Sequence, residues 1–442
     1  MAAEPIALHA QPPATAASGA RWGGPRRIAF RFAFAYWLLY LFPFTAGWLL
    51  SWLPGANPAM ELWQDFWHGV VPWVGEHVLR LPYPITVFTN GSGDTTYDYV
   101  LVACLVALAA LGTLIWSALD GRRGSYRALE EALRITLRYS FAVILLSYGF
   151  SKVFKLQFPA PSPGRLVQPY GESSPMGLLW TFMGASAPYT IFSGALEVAA
   201  GMLLLFRRTT TLGALVAASV MTNIVMLNLC YDVPVKLFSM HLLLMALLLL
   251  VPDAGRLASV LLLHRPTQPT SLEPPFAAGR LRHVRRVLKF ALIGYLVYSN
   301  ISGSLARRRQ FGDNAPKIAV FGVYDVEQLE RAGRAVAPGD AASWRRINVT
   351  NAGFSVTLRD GSTLRYNAKD DAAKKTLTIS ARPGERGQGG RLAYRLSGDS
   401  VAILEGSLDG DAVRLQLRKL DTSKSLLMNR GFRWINEYPF NR

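Results

Sequence analysis

The residues best suited to chemistry in this 442-residue chain are polar and ionisable side chains that interrupt long apolar segments. A charged group inside a lipid bilayer is costly, so those present usually face the interior of a helical bundle or a water-filled cavity. Carboxylates, amines and imidazoles in such places can bind a polar headgroup or pass a proton. The candidates are Tyr148, Lys152, Glu197, Asn228, Asp232, Lys236 and His241.

Glu197 and Lys152 are the strongest candidates of this set, and we expect them to handle protons or to anchor a headgroup. A pocket that contains them would suit a quinone, a lipid headgroup or a proton. Asp232 and Lys236 are four residues apart, a spacing that allows an ion pair on one helix. The alternative interpretation is that these residues form internal ion pairs and helix caps that only fix the packing, and the sequence leaves both open.

Other kinds of site are poorly represented in the sequence. The two cysteines, Cys104 and Cys230, are far apart and form no metal-binding spacing, so we predict no metal site. The net charge is 47 − 29 = +18. Many of the basic residues flank apolar segments, which is typical of membrane topology, so we predict no nucleic-acid partner. The chain also contains no catalytic triad or nucleotide-binding loop, and whether it is an enzyme stays open.

The composition places these residues in a membrane protein. Hydrophobic residues make up 51% of the chain and charged residues only 17%, whereas soluble proteins carry about 25% charged residues. A membrane-spanning helix needs about 20 mainly apolar residues. Seven segments meet this description, and the predicted spans are Ile28–Leu53, Tyr99–Leu119, Thr136–Phe158, Ala187–Phe206, Leu212–Cys230, Val235–Val251 and Val287–Ser304.

The distribution of lysine and arginine predicts the orientation of these spans. The loops 54–98 and 159–186 contain only Arg80 and Arg165, whereas the alternate loops are rich in arginine. Because basic loops stay inside, we predict a multi-pass protein of the inner membrane with a cytoplasmic N-terminus. Residues 1–20 are predicted to be a disordered tail, and 21–305 a transmembrane helical domain. The candidate residues then lie in the outer leaflet, with Glu197 near mid-depth, where they could share one outward-facing pocket.

The region 306–442 is predicted to be a periplasmic all-β domain. Short segments rich in β-formers are separated by turn signals such as Asp360-Gly361, Gly398-Asp399 and Asp409-Gly410. The fold class is therefore an all-α polytopic membrane bundle followed by an antiparallel β sandwich or partly closed barrel. We expect the aromatic and charged C-terminal tail to dock this domain on the bundle or to cover the pocket. The predicted strands are Ile318–Tyr324, Arg346–Asn351, Phe354–Arg359, Thr363–Asn367, Thr376–Ser380, Arg391–Leu396, Val401–Glu405 and Val413–Lys419.

Several motifs resemble those of the DoxX-like integral membrane protein family. Tyr148-Gly149-x-x-Lys152 is followed by Glu197-x-x-x-Gly201-Met202-Leu203-Leu204 and by Arg207-Arg208. The resemblance implies a four-helix core over about 136–251, and a name-giving member of the family is a subunit of a thiosulfate:quinone oxidoreductase. Further stretches similar to longer bacterial members are Gly91–Thr96, Ser174–Gly177, Tyr231–Leu237 and Arg430–Arg442.

These observations predict a DoxX-like inner-membrane protein that binds a quinone or a lipid headgroup in an outer-leaflet pocket. Its partners would be the lipid bilayer and the subunits of a membrane redox assembly, and a quinone is the one cofactor we expect. Two alternatives belong to other classes of protein. The first is a component of a transporter or channel, and the second is a non-catalytic scaffold that presents the β domain.

Overall fold

A computed structural model describes most of the chain, and its residues divide into two compact units. The described residues are 21–50, 56–87, 93–268, 281–337, 339–340, 343–382, 385, 387–398 and 400–441. The predicted N-terminal tail, residues 91 and 92 of one family-like stretch and Asp399 of one predicted turn lie outside them. One unit consists of residues 1–147 and 196–297, and the other of residues 148–195 and 298–442.

Helices form at each of the seven predicted spans. The long ones are α1 (Gly24–Leu50), α2 (Ala56–His77), α3 (Thr96–Leu119) and α4 (Arg127–Val153). After the short α5 (Pro163–Leu166) come α6 (Pro175–Ala185), α7 (Ala187–Leu204), α8 (Thr210–Cys230) and α9 (Lys236–Leu250). The last helices are α10 (Ala254–Leu261), α11 (Leu281–Phe311) and the short α12 (Leu426–Asn429).

Four helical segments of the described chain are long and apolar enough to cross a membrane. They are Thr96–Leu119, Ala187–Leu204, Arg207–Cys230 and Lys236–Leu261, which contain α3, α7, α8 and α9. This finding supports the prediction of a membrane protein. The remaining predicted spans coincide with α1, α4 and α11, and that these helices cross the membrane stays a prediction.

The arginine-rich end of the first unit is organised around a buried arginine. Arg31 lies on α1, and its guanidinium donates to the hydroxyl of Tyr126, to Ser117 Oγ at 2.7 Å and to the Asp120 carbonyl at 2.7 Å. Phe30 stacks on the ring of Tyr126 with the ring centroids 5.5 Å apart. These contacts connect the start of α1 to the turn between α3 and α4, because Ser117 ends one helix and Tyr126 precedes the next.

The second unit contains an antiparallel β-barrel. Its strands are β1 (Gly322–Arg331), β2 (Arg334–Ala335), β3 (Trp344–Val349), β4 (Gly353–Leu358) and β5 (Thr363–Asp371), followed by β6 (Thr376–Ala381), β7 (Gly389–Ser397), β8 (Val401–Leu408) and β9 (Asp411–Lys419). Strands β3 to β9 pair in chain order, β1 pairs with β3, and β2 is a two-residue arm on β1.

Pairing between β1 and β9 closes the sheet into an eight-stranded barrel. The register runs from Tyr324 opposite Lys419 to Arg331 opposite Val413. The barrel alternative of the sequence analysis is therefore confirmed, and the sandwich alternative is wrong. Alternate residues of the strands point inward, as period two requires. The fully buried interior side chains include Tyr324, Ile347, Val356, Tyr366, Leu377, Leu392, Leu415 and Leu417.

Several strand boundaries differ from the sequence prediction by a few residues, and the largest difference is at β1. The predicted strand Ile318–Tyr324 begins too early, because β1 starts at Gly322 and continues to Arg331. The part of β1 beyond the predicted strand contains Asp325, Glu327 and Glu330. Charged residues in such number are more typical of a loop than of a strand. Outward-facing positions of a barrel strand tolerate such residues, because only the alternate side chains enter the core.

Two glycines on β7 and β8 lie where a Cβ atom would collide with the backbone of the neighbouring strand. Gly406 has a φ of +156° and pairs with Leu392, and a Cβ atom built on it would collide with the carbonyl oxygen of Arg391. Gly390 on β7 has the same relation to the carbonyl oxygen of Ser407. A side chain at either position would therefore push the two backbones apart.

Candidate functional site

The junction between α8 and α9 contains three of the predicted site residues. The ammonium of Lys236 lies 2.9 Å from a carboxylate oxygen of Asp232, as the four-residue spacing predicts. The side chain of Asp232 is 84% exposed, so this is a surface ion pair of little energetic weight. Asn228 is buried and donates from Nδ2 to Ser239 Oγ at 3.0 Å, and this contact joins the end of α8 to the start of α9.

A second acid at this junction, Asp94, was missed by sequence reasoning. Its carboxylate accepts from the backbone N–H of Lys236 at 2.6 Å and from that of Leu237 at 2.9 Å, so it caps α9. It also lies 4.0 Å from the Lys236 ammonium. The only sequence signal was the family-like stretch that contains Asp94, since 142 residues separate the acid from the helix it caps.

We expect Asp94→Ala to destabilise the protein by about 1–2 kcal/mol, because two backbone N–H groups at the start of α9 lose their acceptor. Thermal unfolding of the detergent-solubilised chain, combined with hydrogen exchange of the first turn of α9, measures this effect. The matched control is Asp232→Ala, which also places alanine at a positive φ, 50° against 60° at Asp94, but removes only an exposed ion pair. It should therefore cost about 1 kcal/mol less than Asp94→Ala. Equal losses in the two variants would show that Asp94 does not cap the helix.

His241 lies in an aromatic cluster formed by α1 and α9. Its Nε2 is 2.5 Å from the hydroxyl oxygen of Tyr36, and its Nδ1 is 2.6 Å from the carbonyl oxygen of Leu237. The ring of Tyr40 stacks on the imidazole with centroids 4.2 Å apart and an interplanar angle of 5°. Trp37 contacts the imidazole edge-on. Sequence reasoning missed these α1 residues, although the four-residue spacing of Tyr36 and Tyr40 places them on one helical face.

The two hydrogen bonds of His241 fix the state of its ring. The carbonyl of Leu237 can only accept, so Nδ1 carries a proton. In the neutral imidazole Nε2 is then an acceptor, and the Tyr36 hydroxyl donates to it. If the ring takes up a second proton, Nε2–H donates to the Tyr36 oxygen and the hydrogen bond reverses. The proton between the two side chains can therefore be bound to the Tyr36 oxygen or to His241 Nε2 without any movement of heavy atoms.

Glu197 is the most deeply buried carboxyl group among the predicted site residues, with a relative exposure of 1%. It lies on α7 three residues after Gly194 and four before Gly201, so the three residues share one face of the helix. A Cβ atom on Gly201 would lie 3.1 Å from the carbonyl oxygen of Ala142 on α4. The small residues of this face therefore allow close approach of helix backbones, which is common inside membranes.

Tyr148 and Lys152 belong to the second unit and lie on the last turns of α4. Lys152 is 6% exposed, and its ammonium lies 5.7 Å from the centroid of the Tyr148 ring, in a cation–π contact. A Cβ atom on Gly194 would lie 2.6 Å from the carbonyl oxygen of Gly149 and 2.7 Å from Lys152 Cβ. Both ends of the Tyr-Gly-x-x-Lys motif therefore have defined positions, and its glycine faces the glycine of α7.

The structure thus brings some of the predicted site residues together in pairs. Asp232 pairs with Lys236, as their spacing predicts, and Lys152 contacts Tyr148. The hydrogen bonds of His241 go to Tyr36 and Leu237, and within the described residues none goes to another predicted site residue. No group of three or more His, Cys, Asp or Glu side chains that could hold a metal ion occurs in the described part of the chain.

Several aromatic rings of the C-terminal tail are exposed. Trp434 is 90% exposed, and Phe432 and Tyr438 are also exposed. That the tail docks the β domain on the bundle or covers the pocket stays a prediction. The tail is held by its own contacts, among them a hydrogen bond of 2.7 Å from Arg430 to Asn436 Oδ1 and the packing of the Arg430 guanidinium on Phe440.

Comparison with known proteins finds similarity to an uncharacterized protein. No protein-family model matches the chain, and no solved structure matches it. The chain is similar to the uncharacterized protein YwoB of Bacillus subtilis (strain 168), with 33% identity over 134 residues. The matched segment is 30% of this chain and 85% of YwoB. Because the match covers most of the relative at this level of identity, the chain belongs to the same protein family as YwoB.

Proposed function

We propose that this chain is a multi-pass inner-membrane protein that binds a quinone, or a lipid with a comparable hydrogen-bonding headgroup, among the buried polar residues of its helices. The observation that carries the proposal is the pair of Tyr36 and His241. This pair is enclosed by aromatic rings on helices that are otherwise largely apolar. Arginine-poor loops on one side support an orientation with the N-terminus in the cytoplasm and the barrel in the periplasm.

The chemistry of the pair suits a quinone headgroup. A quinone carbonyl accepts hydrogen bonds, and its conversion to the quinol takes up two electrons and two protons. The hydrogen bond between Tyr36 and His241 can reverse, so the pair can deliver a proton to a bound oxygen and recover it later. In this proposal a partner redox subunit supplies the electrons, and the chain supplies the binding site and the protons.

Glu197 and Lys152 have supporting roles in the proposal. A carboxyl group held inside an apolar helix can be a second proton donor, and an ammonium can hydrogen-bond a headgroup oxygen. The resemblance to the DoxX-like family, whose name comes from a subunit of a quinone-reducing enzyme, supports the same class of ligand. In this proposal the exposed ion pair of Asp232 and Lys236, at the junction of α8 and α9, does not contact the ligand and has only an indirect role.

The proposal is tested by extracting the gently solubilised full chain and quantifying quinones and lipids per mole of protein by mass spectrometry. We compare the wild type with His241→Phe, Glu197→Gln and Lys152→Gln. The control is Glu172→Gln, which neutralises an exposed acid in a loop. We expect a quinone or one specific lipid in the wild type and in the control, and at least a tenfold loss in His241→Phe and Glu197→Gln, with thermal unfolding confirming that each variant is folded.

The same variants separate the alternative functions. An identical lipid profile in the wild type and in all folded variants would contradict the binding proposal. Loss of solute flux from reconstituted vesicles, without loss of a bound ligand, would indicate a transporter. Unchanged ligand content and unchanged flux would leave the scaffold as the better explanation.

A further inference from the structure

A cavity of about 560 Å³ lies in the first unit, between the first turns of α4, the start of α8 and α10. This volume falls within the usual range for small-molecule sites. Five arginines line it: Arg134, Arg138, Arg207, Arg208 and Arg256. We call this site the arginine cavity. It is separate from the cluster around His241, and it lies at the ends of the helices that the arginine pattern places in the cytoplasm.

Two carboxylates also line the arginine cavity, and both are engaged. Asp253 accepts from Arg256 at 2.9 Å, from Arg134 at 3.5 Å and from the hydroxyl of Thr211 at 2.6 Å. Glu131 lies 3.4 Å from Arg207. Five arginines against two carboxylates leave an excess of three positive charges, 5 − 2 = 3. Within the described residues, neither Arg138 nor Arg208 forms an ion pair with a carboxylate, although Glu131 is near enough to Arg138 to interact with it electrostatically.

Arg138 lines the cavity, and its guanidinium packs over the ring of Tyr139, 4.8 Å from the centroid. Its Nη1 donates weakly to Thr210 Oγ1 at 3.4 Å, and its buried Nε has no hydrogen-bond partner in the described part of the chain. A buried guanidinium N–H without an acceptor is costly, so such a group usually marks a ligand position. Thr210 is the first residue of α8, so the positive end of the helix dipole points to the same place.

We propose that the arginine cavity binds the phosphate group of an anionic ligand. Guanidinium groups match phosphate oxygens in a bidentate geometry, and an excess of three positive charges favours an anion with more than one charged oxygen. Basic pockets between membrane helices on the cytoplasmic side commonly hold anionic lipid headgroups, and a soluble phosphate ester offers the same chemistry. The binding group is the phosphate in either case.

The test uses the full chain in an uncharged maltoside detergent and measures binding by isothermal titration at two salt concentrations. The probes are inorganic phosphate, pyrophosphate and dihexanoyl phosphatidylglycerol. The variants Arg138→Gln and Arg208→Gln remove the two arginines that form no ion pair with a carboxylate of the described residues, and Arg138→Lys retains the charge without the planar fork. The control Arg122→Gln removes an exposed arginine of the α3–α4 turn, outside the cavity.

We expect saturable, salt-sensitive binding that each Gln variant weakens roughly tenfold, with an intermediate loss in Arg138→Lys and less than a twofold change in the control. Binding of phosphate or pyrophosphate would identify a soluble source, and binding of phosphatidylglycerol alone would identify a lipid. Absence of saturable binding for every probe would overturn the proposal. An equal weakening in Arg122→Gln would also overturn it, because the effect would then reflect general surface charge. Since Arg208 is exposed, its variant tests the site even if Arg138→Gln fails to fold.

Discussion

Gly406→Ala is expected to prevent strands β7 and β8 from pairing and so to open the barrel. The added methyl group would overlap the carbonyl oxygen of Arg391, and the φ of +156° is one that alanine rarely adopts. Neither conflict can be relieved by a side-chain rotation, because both involve the backbone. We expect a loss of at least about 4 kcal/mol, a large part of the 5–15 kcal/mol that usually stabilises a domain.

Hydrogen exchange followed by mass spectrometry measures this effect on the full chain, as lost protection of amides in β7 and β8. The control is Gly410→Ala, in the turn between β8 and β9. Gly410 also has a positive φ of +87°, but no atom lies within 4 Å of an added Cβ. Backbone strain alone should cost about 1 kcal/mol there. Native protection in Gly406→Ala would show that the two strands are farther apart than the structure indicates.

Arg31→Met is expected to be the most damaging single change among the polar contacts of the first unit. Arg31 is 3% exposed, and its loss would leave Ser117 Oγ without its donor and the Asp120 carbonyl with only the long 3.4 Å hydrogen bond from the Tyr126 hydroxyl. Methionine keeps much of the volume, so the result reports lost hydrogen bonding rather than a cavity. Charged hydrogen bonds contribute about 1.5–3 kcal/mol each, and we expect a total loss on the order of 3–5 kcal/mol.

Thermal unfolding followed by tryptophan fluorescence suits this variant, because Trp116 contacts Tyr126 beside the site. The control is Arg26→Met on the same helix. Arg26 forms an exposed ion pair with Glu130 at 3.1 Å and packs over the ring of Trp22. Arg26→Met should lower the free energy of unfolding by less than about 1 kcal/mol. A similar loss in both variants would mean that the Arg31 contacts add nothing beyond an ordinary surface arginine.

Local patterns in the sequence predicted most of the secondary structure. Long apolar runs located the helices, because burying a helix in lipid needs a continuous apolar surface. Turn signals such as Asp360-Gly361 separated the strands, because those positions need a backbone that few residues adopt. The predicted position of β1 was wrong because the charged, outward-facing side chains of this strand obscure the alternation of apolar and polar residues. Closure into a barrel was one of two alternatives, since the pairing of β1 with β9 leaves no local signal.

The candidate site was less predictable for a related reason. The i, i+4 pair of Asp232 and Lys236 was found because both partners lie in one segment. Asp94 and Tyr36 were missed because they meet α9 from 142 and 205 residues away in the sequence. Contacts at such separations depend on which helix faces meet. A single sequence with no aligned relatives does not contain that information.

The pairing of β1 with β9 also determines when the barrel can form. Arg331 and Val413 are neighbours across the seam although 82 residues separate them, so closure waits until the last strand has been synthesised. Until then both edge strands present unpaired backbone groups that can pair with other chains. A chain whose synthesis stops before residue 411 lacks β9, so its sheet stays open and both of its edges can pair with other chains.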